Sequence, residues 1–374
     1  MMERKHCNFI KEYRSIQSIL IITLLGITMA GLYGQKKPAD PLKPVISNLP
    51  AANPSEVGMR MDTISHLLEL IRQTNHPDFR GLIVFKNNKL VVEEYFNTFW
   101  RATIEDIRSA GKSITGILAG IAIDQGLISS VDQRLDAFFP AFSNHKGQPI
   151  RIRDLLAMSS GLDADDNNNN SPGNFTNWVL EDDWIQFAQT LPEVFPPGSR
   201  YVYNDVCPML IGEIIQKASG MTLATFAEKY LFAPLGIEEY YWYSAPNGHT
   251  VPMGNLYLST LDFAKIGLLL LNEGMWMGSR VVSQQWIQQL SKPRFDLSSV
   301  DSFAQGYGYF WFTGTKVWKG KSIPYYYASG NGGNLLFIVP EFQMVVALTS
   351  TAYGQGYGHF RGHRIFETLL HAIN

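Results

Sequence analysis

Ser109 and Lys112 lie three residues apart at the start of an apolar helical pattern, a spacing that suits nucleophilic catalysis. Apolar residues at 114, 117, 118 and 121 recur at helical spacing, so both side chains are predicted on one side of the first turn. A serine hydroxyl becomes a useful nucleophile when a base lies within hydrogen-bond reach. A lysine in an apolar site can lose its proton near neutral pH and take that role. The tetrapeptide alone favours an N-capping serine beside a solvated lysine, so the catalytic interpretation depends on partners from the rest of the chain.

Two further segments carry residue types that catalysis can use. Tyr203 and Asp205 lie in a Pro-Gly-containing segment just before a helical pattern that begins at Leu210. Residues 328–334, Ala-Ser-Gly-Asn-Gly-Gly-Asn, lie between two strand-like segments. Small residues at a strand end let a substrate lie close to the backbone, and free N–H groups there can bind an oxyanion. Each segment alone is also compatible with a turn around a buried tyrosine or with a glycine-rich hairpin.

Strand-like segments at both ends of the chain enclose a helical middle, which favours one mixed α+β domain interrupted by a helical part. The mixed part is expected over about 55–108 and 255–374, and the mainly helical part over about 109–254. The predicted helices cover 61–72, 109–126, 150–158, 210–218, 223–231, 261–271 and 360–372. The predicted strands cover 81–86, 89–96, 307–312, 325–329, 334–339 and 344–348.

The N-terminal residues differ from the rest of the chain. Residues 1–34 join a basic start to an uncharged, apolar stretch, which predicts a signal peptide or a retained membrane anchor. Residues 35–54 are rich in Pro, Lys and Ala and are predicted to be a linker. Either alternative predicts export to the periplasm or the outside of the cell, with membrane attachment through this segment only.

Composition and missing motifs exclude several classes of protein. The net charge of −2 argues against a general nucleic-acid binder. Cys207 is the single cysteine after the leader and is expected to be a small buried residue. The Asp- and Asn-rich residues 163–173 lack the spacing of an EF-hand, so a surface loop is favoured over a calcium site. No metal or cofactor is expected.

The order of the three segments resembles that of the serine β-lactamase and penicillin-recognising family, and best of all its class C β-lactamase-related branch. That branch also contains esterases, D-amino-acid peptidases and 6-aminohexanoate-dimer hydrolases. Three further segments, residues 154–162, 231–237 and 262–267, also resemble the family. The likeness therefore runs from about Asn53 to the C-terminus. The resemblance implies a β-lactamase/transpeptidase-like fold: an antiparallel sheet flanked by helices, with an inserted mainly helical domain.

The resemblance also implies roles for single residues. Ser109 would attack the carbonyl and become acylated, and Lys112 would accept a proton or tune the charge of its neighbour. Tyr203 would pass a proton to the leaving group. The backbone N–H groups of Ser109 and Asn331 would form the oxyanion hole. Substrate contacts are expected from Asp205, Ala328, Ser329, Gly330, Trp178 and Trp184.

Aromatic residues are expected to give the cleft an apolar pocket. Beside Trp178 and Trp184 this group contains Tyr201, Tyr307 and Trp311, and core packing is expected for at least half of the five.

The chain departs from the family at two positions. Asp205 stands where Asn or Ser is common, and Ala328 stands where the family usually has Lys or His. An ionised Asp205 about 4 Å from a ligand carboxylate would repel it by about 4 kcal/mol at an effective dielectric constant near 20. Substrates that carry a carboxylate, such as β-lactams and D-Ala peptides, are therefore expected to fit poorly.

The predicted function is that of an exported serine hydrolase. It would cleave a small-molecule ester, amide or peptide through an acyl-enzyme on Ser109, with Lys112 and Tyr203 as the acid/base pair. The alternatives are a β-lactamase or D-Ala peptidase, and a ligand-binding member of the same fold without turnover.

Overall fold

An antiparallel sheet of eight strands forms the centre of the protein. The strands of the structure, a computed structural model, are β1 (Phe79–Lys86), β2 (Lys89–Tyr95), β3 (Ile104–Asp106), β4 (Tyr241–Trp242), β5 (Leu256–Ser259), β6 (Met275–Trp276), β7 (Ser279–Arg280), β8 (Phe295–Asp296), β9 (Gly306–Tyr307), β10 (Phe312–Trp318), β11 (Lys321–Gly330), β12 (Asn334–Val339) and β13 (Met344–Ser350). The large sheet has the order β2-β1-β13-β12-β11-β10-β9-β8. The first hairpin therefore pairs with the last strand, with Val84 opposite Val346.

Helices cover both faces of this sheet. They are α1 (Met61–Gln73), α2 (Ala110–Asp124), α3 (Ile152–Leu156), α4 (Trp184–Thr190), α5 (Val206–Ser219), α6 (Leu223–Ala227), α7 (Thr260–Leu271), α8 (Gln284–Leu290) and α9 (Tyr357–His371). Leu336 contacts Gly267 of α7, whereas the next residue, Phe337, stacks on Phe366 of α9 at 4.1 Å. Because successive strand residues point to opposite faces, α7 and α9 lie on opposite sides of the sheet.

Residues 49–374 form one compact unit, of which the structure describes 49–74, 76–144 and 147–374. The predicted leader at 1–34, and the predicted linker up to residue 48, lie outside the described residues. In the part of the chain that is described, no helix has the length and apolar character to cross a membrane.

Helix α2 is the most central helix. Every residue from Ala110 to Ala122 is buried, which fits a helix that is apolar almost all round. Gly120 is required for close packing, because an added Cβ would lie 2.0 Å from the Trp286 ring. The Trp286 indole donates a hydrogen bond to the Gly116 carbonyl at 3.0 Å. The middle of α2 is therefore packed closely against Trp286 of α8.

The strand predicted over Tyr307–Phe312 is wrong. Tyr307 ends β9, Phe312 begins β10, and Phe310 between them has a left-handed φ of 60°. The Phe310 carbonyl accepts a hydrogen bond from the buried Ser113 hydroxyl at 2.6 Å. The apolar run is thus a turn packed against α2, because a buried hydroxyl of α2 needs an acceptor there.

Two predicted helices have different bounds in the structure. The helix predicted from Leu210 begins at Val206, which places Asp205 at its N-terminal cap. The helix predicted over Leu223–Leu231 ends at Ala227 and continues as a single π turn over Glu228–Phe232. The first change matters for function, since it brings Asp205 to the start of a buried helix.

Candidate active site

Ser109 is the N-cap residue of α2, and a strained backbone holds it there. The preceding residue, Arg108, has a left-handed φ of 54°, and its backbone N–H donates to the Asp106 side chain at 2.8 Å. The Arg108 guanidinium lies over the Tyr353 ring at 4.0 Å. A non-glycine residue in this conformation costs about 1–3 kcal/mol and is found most often at functional sites.

Lys112 lies directly against the Ser109 hydroxyl. Its Nζ donates to Ser109 Oγ at 3.0 Å and to the Met253 carbonyl at 2.8 Å. It also forms an ion pair with Asp205 at 2.7 Å, and the Lys112 side chain is only 3% exposed. The serine and lysine that the sequence places on one turn are therefore in contact, and a third group comes from 93 residues further along the chain.

The Lys112 ammonium holds its proton in this site. Burial is the largest effect and by itself lowers the pKa of Lys112, but Asp205 and Tyr203 together raise that pKa above its usual value. Of the two roles expected for Lys112, tuning the charge of its neighbour therefore fits this direction of shift better than accepting a proton, and the sequence does not reveal the carboxylate that causes it. A charged Lys112 can orient the serine hydroxyl and stabilise negative charge, but it cannot first accept a proton.

Tyr203 and Asp205 are positioned by the start of α5. Asn204, which lies between them, is buried, and its side chain accepts the Cys207 backbone N–H at 2.8 Å. The Lys112 Nζ lies 5.2 Å from the centre of the Tyr203 ring and interacts with its hydroxyl. The structure therefore brings Ser109, Lys112, Tyr203 and Asp205 together at the meeting point of α2 and α5.

Asp205 does not present a free charge to the cleft. Its carboxylate pairs with Lys112, and its side chain is 15% exposed. The expected repulsion between Asp205 and a ligand carboxylate is therefore corrected, because the neighbouring ammonium balances the charge.

Cys207 is fully buried, and burial raises the pKa of its thiol to about 11. It is therefore not poised to act as a nucleophile.

The end of β11 packs tightly against the start of α2. A Cβ added to Gly330 would lie 1.9 Å from the Ile107 carbonyl oxygen and 3.1 Å from the Ala110 backbone nitrogen. Asn331 follows, and its side-chain oxygen accepts the Gly354 backbone N–H at 2.8 Å. Within residues 49–374, as far as they are described, the Ser109 and Asn331 backbone N–H groups have no acceptor. The third segment thus adjoins Ser109, with a free backbone donor on each side of the contact.

Replacing Gly330 with alanine is expected to lower activity strongly, because the new methyl group would push β11 away from the backbone of residues 107–110. We expect a decrease in kcat/KM of about 10²-fold, the usual cost of misplacing reacting groups by about 1 Å. Gly356→Ala is the matched control, since Gly356 has a φ of −58° and open space around it. Equal ester hydrolysis by the two variants would contradict the assigned close approach.

The other residues of the third segment differ in their surroundings. Ala328 is completely buried and presents no polar group. The Ser329 hydroxyl is partly exposed and lies 3.4 Å from Nδ1 of His359 in α9. Burial lowers the pKa of His359, so this imidazole is neutral near pH 7. No local sequence pattern places His359 beside Ser329, because only the packing of α9 on β11 brings the two together.

Trp178 and Trp184 are not substrate contacts in this structure. Trp178 is 0% exposed and Trp184 is 2% exposed, and their rings meet edge to face at 5.5 Å. The Trp178 indole donates to the Gly173 carbonyl at 3.2 Å. Tyr307 and Trp311 are buried as well, whereas Tyr201 is partly exposed. Only Tyr201 of the expected aromatic lining reaches a surface, because large apolar rings are stabilised more by complete burial.

Asp166 is a site residue that sequence reasoning missed. Its backbone N–H donates to the Tyr203 carbonyl at 3.1 Å, and its Oδ1 accepts the Phe175 backbone N–H at 2.7 Å. Burial, followed by the nearby Asp205 charge, raises the pKa of Asp166 to about 7. The Asp- and Asn-rich composition of residues 163–173 predicted only a loop. Nothing in the neighbouring sequence distinguishes the buried carboxyl group of Asp166 from the other acidic groups of that loop.

In the described ranges, no three His, Cys, Asp or Glu residues are arranged to bind a metal ion. The Asp- and Asn-rich residues 163–173 instead form hydrogen bonds with one another. The Ser171 hydroxyl donates to the Asp163 carboxyl group, and the Asn167 backbone N–H donates to the Asp165 carboxyl group.

A cavity of about 600 Å³ lies elsewhere, along the edge of the sheet formed by β8–β11. It is lined by Arg294, Phe295, Thr313 and Tyr325 among others, and none of its lining residues belongs to the site around Ser109.

Comparison with known proteins gives one family match. A sequence model of the family described as Beta-lactamase matches residues 70–370. The chain is 23% identical over 345 residues to an uncharacterised protein of Alkalihalophilus pseudofirmus, an alignment that covers 82% of this chain and 95% of that protein.

A second relative is a proposed D-alanyl-D-alanine carboxypeptidase of Escherichia coli K12. It is 25% identical over 219 residues, which are 50% of this chain and 49% of that protein. The chain thus aligns with only about half of this relative. Among solved structures, a proposed 6-aminohexanoate-dimer hydrolase from Bacillus anthracis has a TM-score of 0.65 at 19% identity, covering 87% of this chain and 88% of that chain. At this identity the likeness concerns the fold, and it confirms the predicted antiparallel sheet flanked by helices.

Proposed function

This chain belongs to the β-lactamase family, and we propose that it hydrolyses a small ester or amide through an acyl-enzyme on Ser109. The family match confirms the resemblance at the level of the β-lactamase family and the enzyme class, a β-lactamase-related serine hydrolase. The observation that carries the finer proposal is the 3.0 Å hydrogen bond from the buried Lys112 ammonium to Ser109 Oγ. A solvated lysine beside an N-capping serine would not be buried or ion-paired in this way.

The proton of Ser109 passes to Tyr203 in this proposal. Ser109 Oγ attacks the carbonyl carbon, and the Tyr203 phenolate accepts the hydroxyl proton as the new C–O bond forms. Lys112 stays charged and stabilises that phenolate, which agrees with the raised pKa of Lys112 and its contact with the tyrosine hydroxyl. Tyr203 then returns the proton to the leaving group as the tetrahedral intermediate collapses, and water later hydrolyses the acyl-enzyme.

The oxyanion is stabilised by two backbone donors in the same proposal. The N–H groups of Ser109 and Asn331 are free and lie on either side of the contact between Gly330 and the start of α2. Loss of one such donor typically costs about 10²–10³-fold in kcat. We extend the proposal to export of the enzyme, which rests on the composition of residues 1–34.

Labelling with a fluorophosphonate probe tests this function. The probe is expected to attach to wild-type protein, and mass spectrometry of the digested protein is expected to find it on Ser109. Hydrolysis of p-nitrophenyl butyrate is expected in parallel. Attachment to a different serine, or no attachment to folded protein, would refute the proposal and favour a ligand-binding member of the family without turnover.

Neutral esters are expected to be better substrates than carboxylate-bearing ones. With Asp205 neutralised by Lys112, the reason is now the absence of a cation at Ala328. A carboxylate that enters the site loses hydration without gaining the charge-assisted hydrogen bond, worth about 1.5–3 kcal/mol, that a cation would supply. This uncompensated cost predicts a preference for the neutral ester of about 10–100-fold in kcat/KM. The test compares p-nitrophenyl butyrate with p-nitrophenyl hemisuccinate, which share a leaving group, and adds nitrocefin. Efficient nitrocefin turnover would favour the β-lactamase alternative.

A further inference from the structure

We propose that Asp166 is a positioning residue for the Ser109 reaction: it holds Tyr203 and Asp205 in place and sets the balance of charge around Lys112. The inference rests on the proposed function, because it concerns the same nucleophile. It adds a residue from the loop at 163–173 that does not itself touch the reacting atoms.

The geometry ties this loop to the segment that carries Tyr203. The Asp166 backbone N–H donates to the Tyr203 carbonyl at 3.1 Å. The Asp166 carboxyl accepts the Phe175 backbone N–H at 2.7 Å through Oδ1. It also interacts with the backbone N–H of Asp205. Asp166 therefore joins the end of the loop to both residues that flank Asn204 at the start of α5.

The second oxygen of this carboxyl group is unusual. Asp166 Oδ2 is buried and has no hydrogen-bond partner among the residues that the structure describes. The charged groups that face it are Asp205, at the start of α5, and Lys112, in α2. Two carboxyl groups thus share the surroundings of one ammonium. A buried oxygen without a hydrogen-bond donor disfavours the ionised form of the carboxyl group. Asp166 is therefore a second titratable carboxyl group, besides Asp205, near Lys112.

The protonation state of Asp166 changes the field at the nucleophile. While Asp166 is neutral, Lys112 and Asp205 balance each other, and the ammonium can stabilise negative charge on Tyr203. When Asp166 ionises, a second carboxylate opposes that charge. Because the pKa of Asp166 is raised to about 7, kcat/KM is expected to decrease as the pH rises through neutrality.

The test compares wild type with Asp166→Asn and with the matched control Asp165→Asn. Asp165 lies in the same loop, where its carboxyl accepts the Asn167 backbone N–H at 2.9 Å. kcat/KM for p-nitrophenyl butyrate is measured from about pH 5.5 to about pH 9. Asp166→Asn is expected to match wild type within about threefold at the acid end and to exceed it by about tenfold at the alkaline end. Asp165→Asn is expected to follow the wild-type profile.

An unchanged pH profile in folded Asp166→Asn would overturn the inference. So would a folded Asp166→Asn variant that is inactive at every pH, since that result would mean a different role for Asp166. The absence of Ser109 labelling in wild type would instead refute the proposed function.

Thermal melting supplies a readout that does not need activity. The folded-state pKa of Asp166 is raised, so its ionisation costs stability above its unfolded pKa, and the cost grows until the folded pKa is passed. Asp166→Asn is therefore expected to melt a few degrees higher than wild type at about pH 8 and to differ less at about pH 5.5. A variant that melts lower than wild type at the higher pH, or does not fold, contradicts the proposal.

Discussion

Ser109→Ala is expected to lower kcat/KM for p-nitrophenyl butyrate by about 10⁴–10⁶-fold, the usual cost of removing a catalytic serine. The hydroxyl is the group that would form the acyl bond, and it lies 3.0 Å from Lys112 Nζ. Because Lys112 keeps its contacts with the Met253 carbonyl and with Asp205, the variant is expected to fold normally. Circular dichroism and thermal melting check the fold, and ester hydrolysis measures the loss.

The matched control for this variant is Ser279→Ala. Ser279 is exposed in the short strand β7, and its removal is expected to leave both activity and probe labelling unchanged. If Ser109→Ala were labelled as fast as Ser279→Ala, the assigned nucleophile would be wrong. A low residual rate of hydrolysis in Ser109→Ala would not contradict the assignment. The backbone donors of the oxyanion hole would still be present, and such donors accelerate direct attack by water.

Lys112→Met is expected to reduce both activity and stability, for separate reasons. Removing the ammonium takes away the charge that orients Ser109 and stabilises Tyr203, a loss of about 10²–10⁴-fold in kcat/KM. It also leaves Asp205, whose side chain is only 15% exposed, without its partner. Removing one partner of a buried ion pair typically costs about 3–5 kcal/mol in the free energy of unfolding, which is the upper limit expected here. Asp205 can take up a proton at low pH, so the loss of stability is expected to be larger at about pH 8 than at about pH 5.

A double variant separates the two effects. Lys112→Met combined with Asp205→Asn removes both charges, and replacing both partners is expected to recover most of the lost stability. Activity is expected to stay low, because the double variant still lacks the ammonium beside Ser109. Denaturant unfolding and ester kinetics on the wild type, both single variants and the double variant give the coupling energy. Recovered activity in the double variant would show that Lys112 only neutralises Asp205.

The Ser109 and Lys112 experiments test different features of the site. The first tests which atom becomes acylated, and the second tests why a buried ion pair is kept beside it. A buried ion pair is weak evidence for stability by itself, since apolar replacements are often as stable. Its position beside the proposed nucleophile fits chemistry that needs a fixed positive charge.

Local sequence patterns were sufficient to locate the main elements. The apolar spacing after Ser109 predicted α2, and β12 and β13 have nearly the predicted bounds. Hydrophobic periodicity predicts these elements because burial of one face, or of a whole strand, determines which positions along the element are apolar. The order of the three chemical segments was likewise readable, because each is a short contiguous run of residues.

Local patterns failed where a long-range contact decides the outcome. The run at 307–312 looks like a strand, yet it turns at Phe310 so that a buried hydroxyl of α2 finds an acceptor. Trp178 and Trp184 looked like cleft residues, yet they pack against each other inside the protein. Neither outcome is encoded by neighbouring residues, since both depend on which surfaces meet after folding.

The sequence by itself determined the family, the enzyme class and the candidate nucleophile, because these follow from short motifs and from their order along the chain. Only the tertiary structure decided that Asp205 pairs with Lys112 and raises its pKa, and that Asp166 lies beside them. The physical reason is that proton affinity depends on burial and on charges within a few ångströms. Such neighbours come from three separate segments of the chain, and folding alone brings them together.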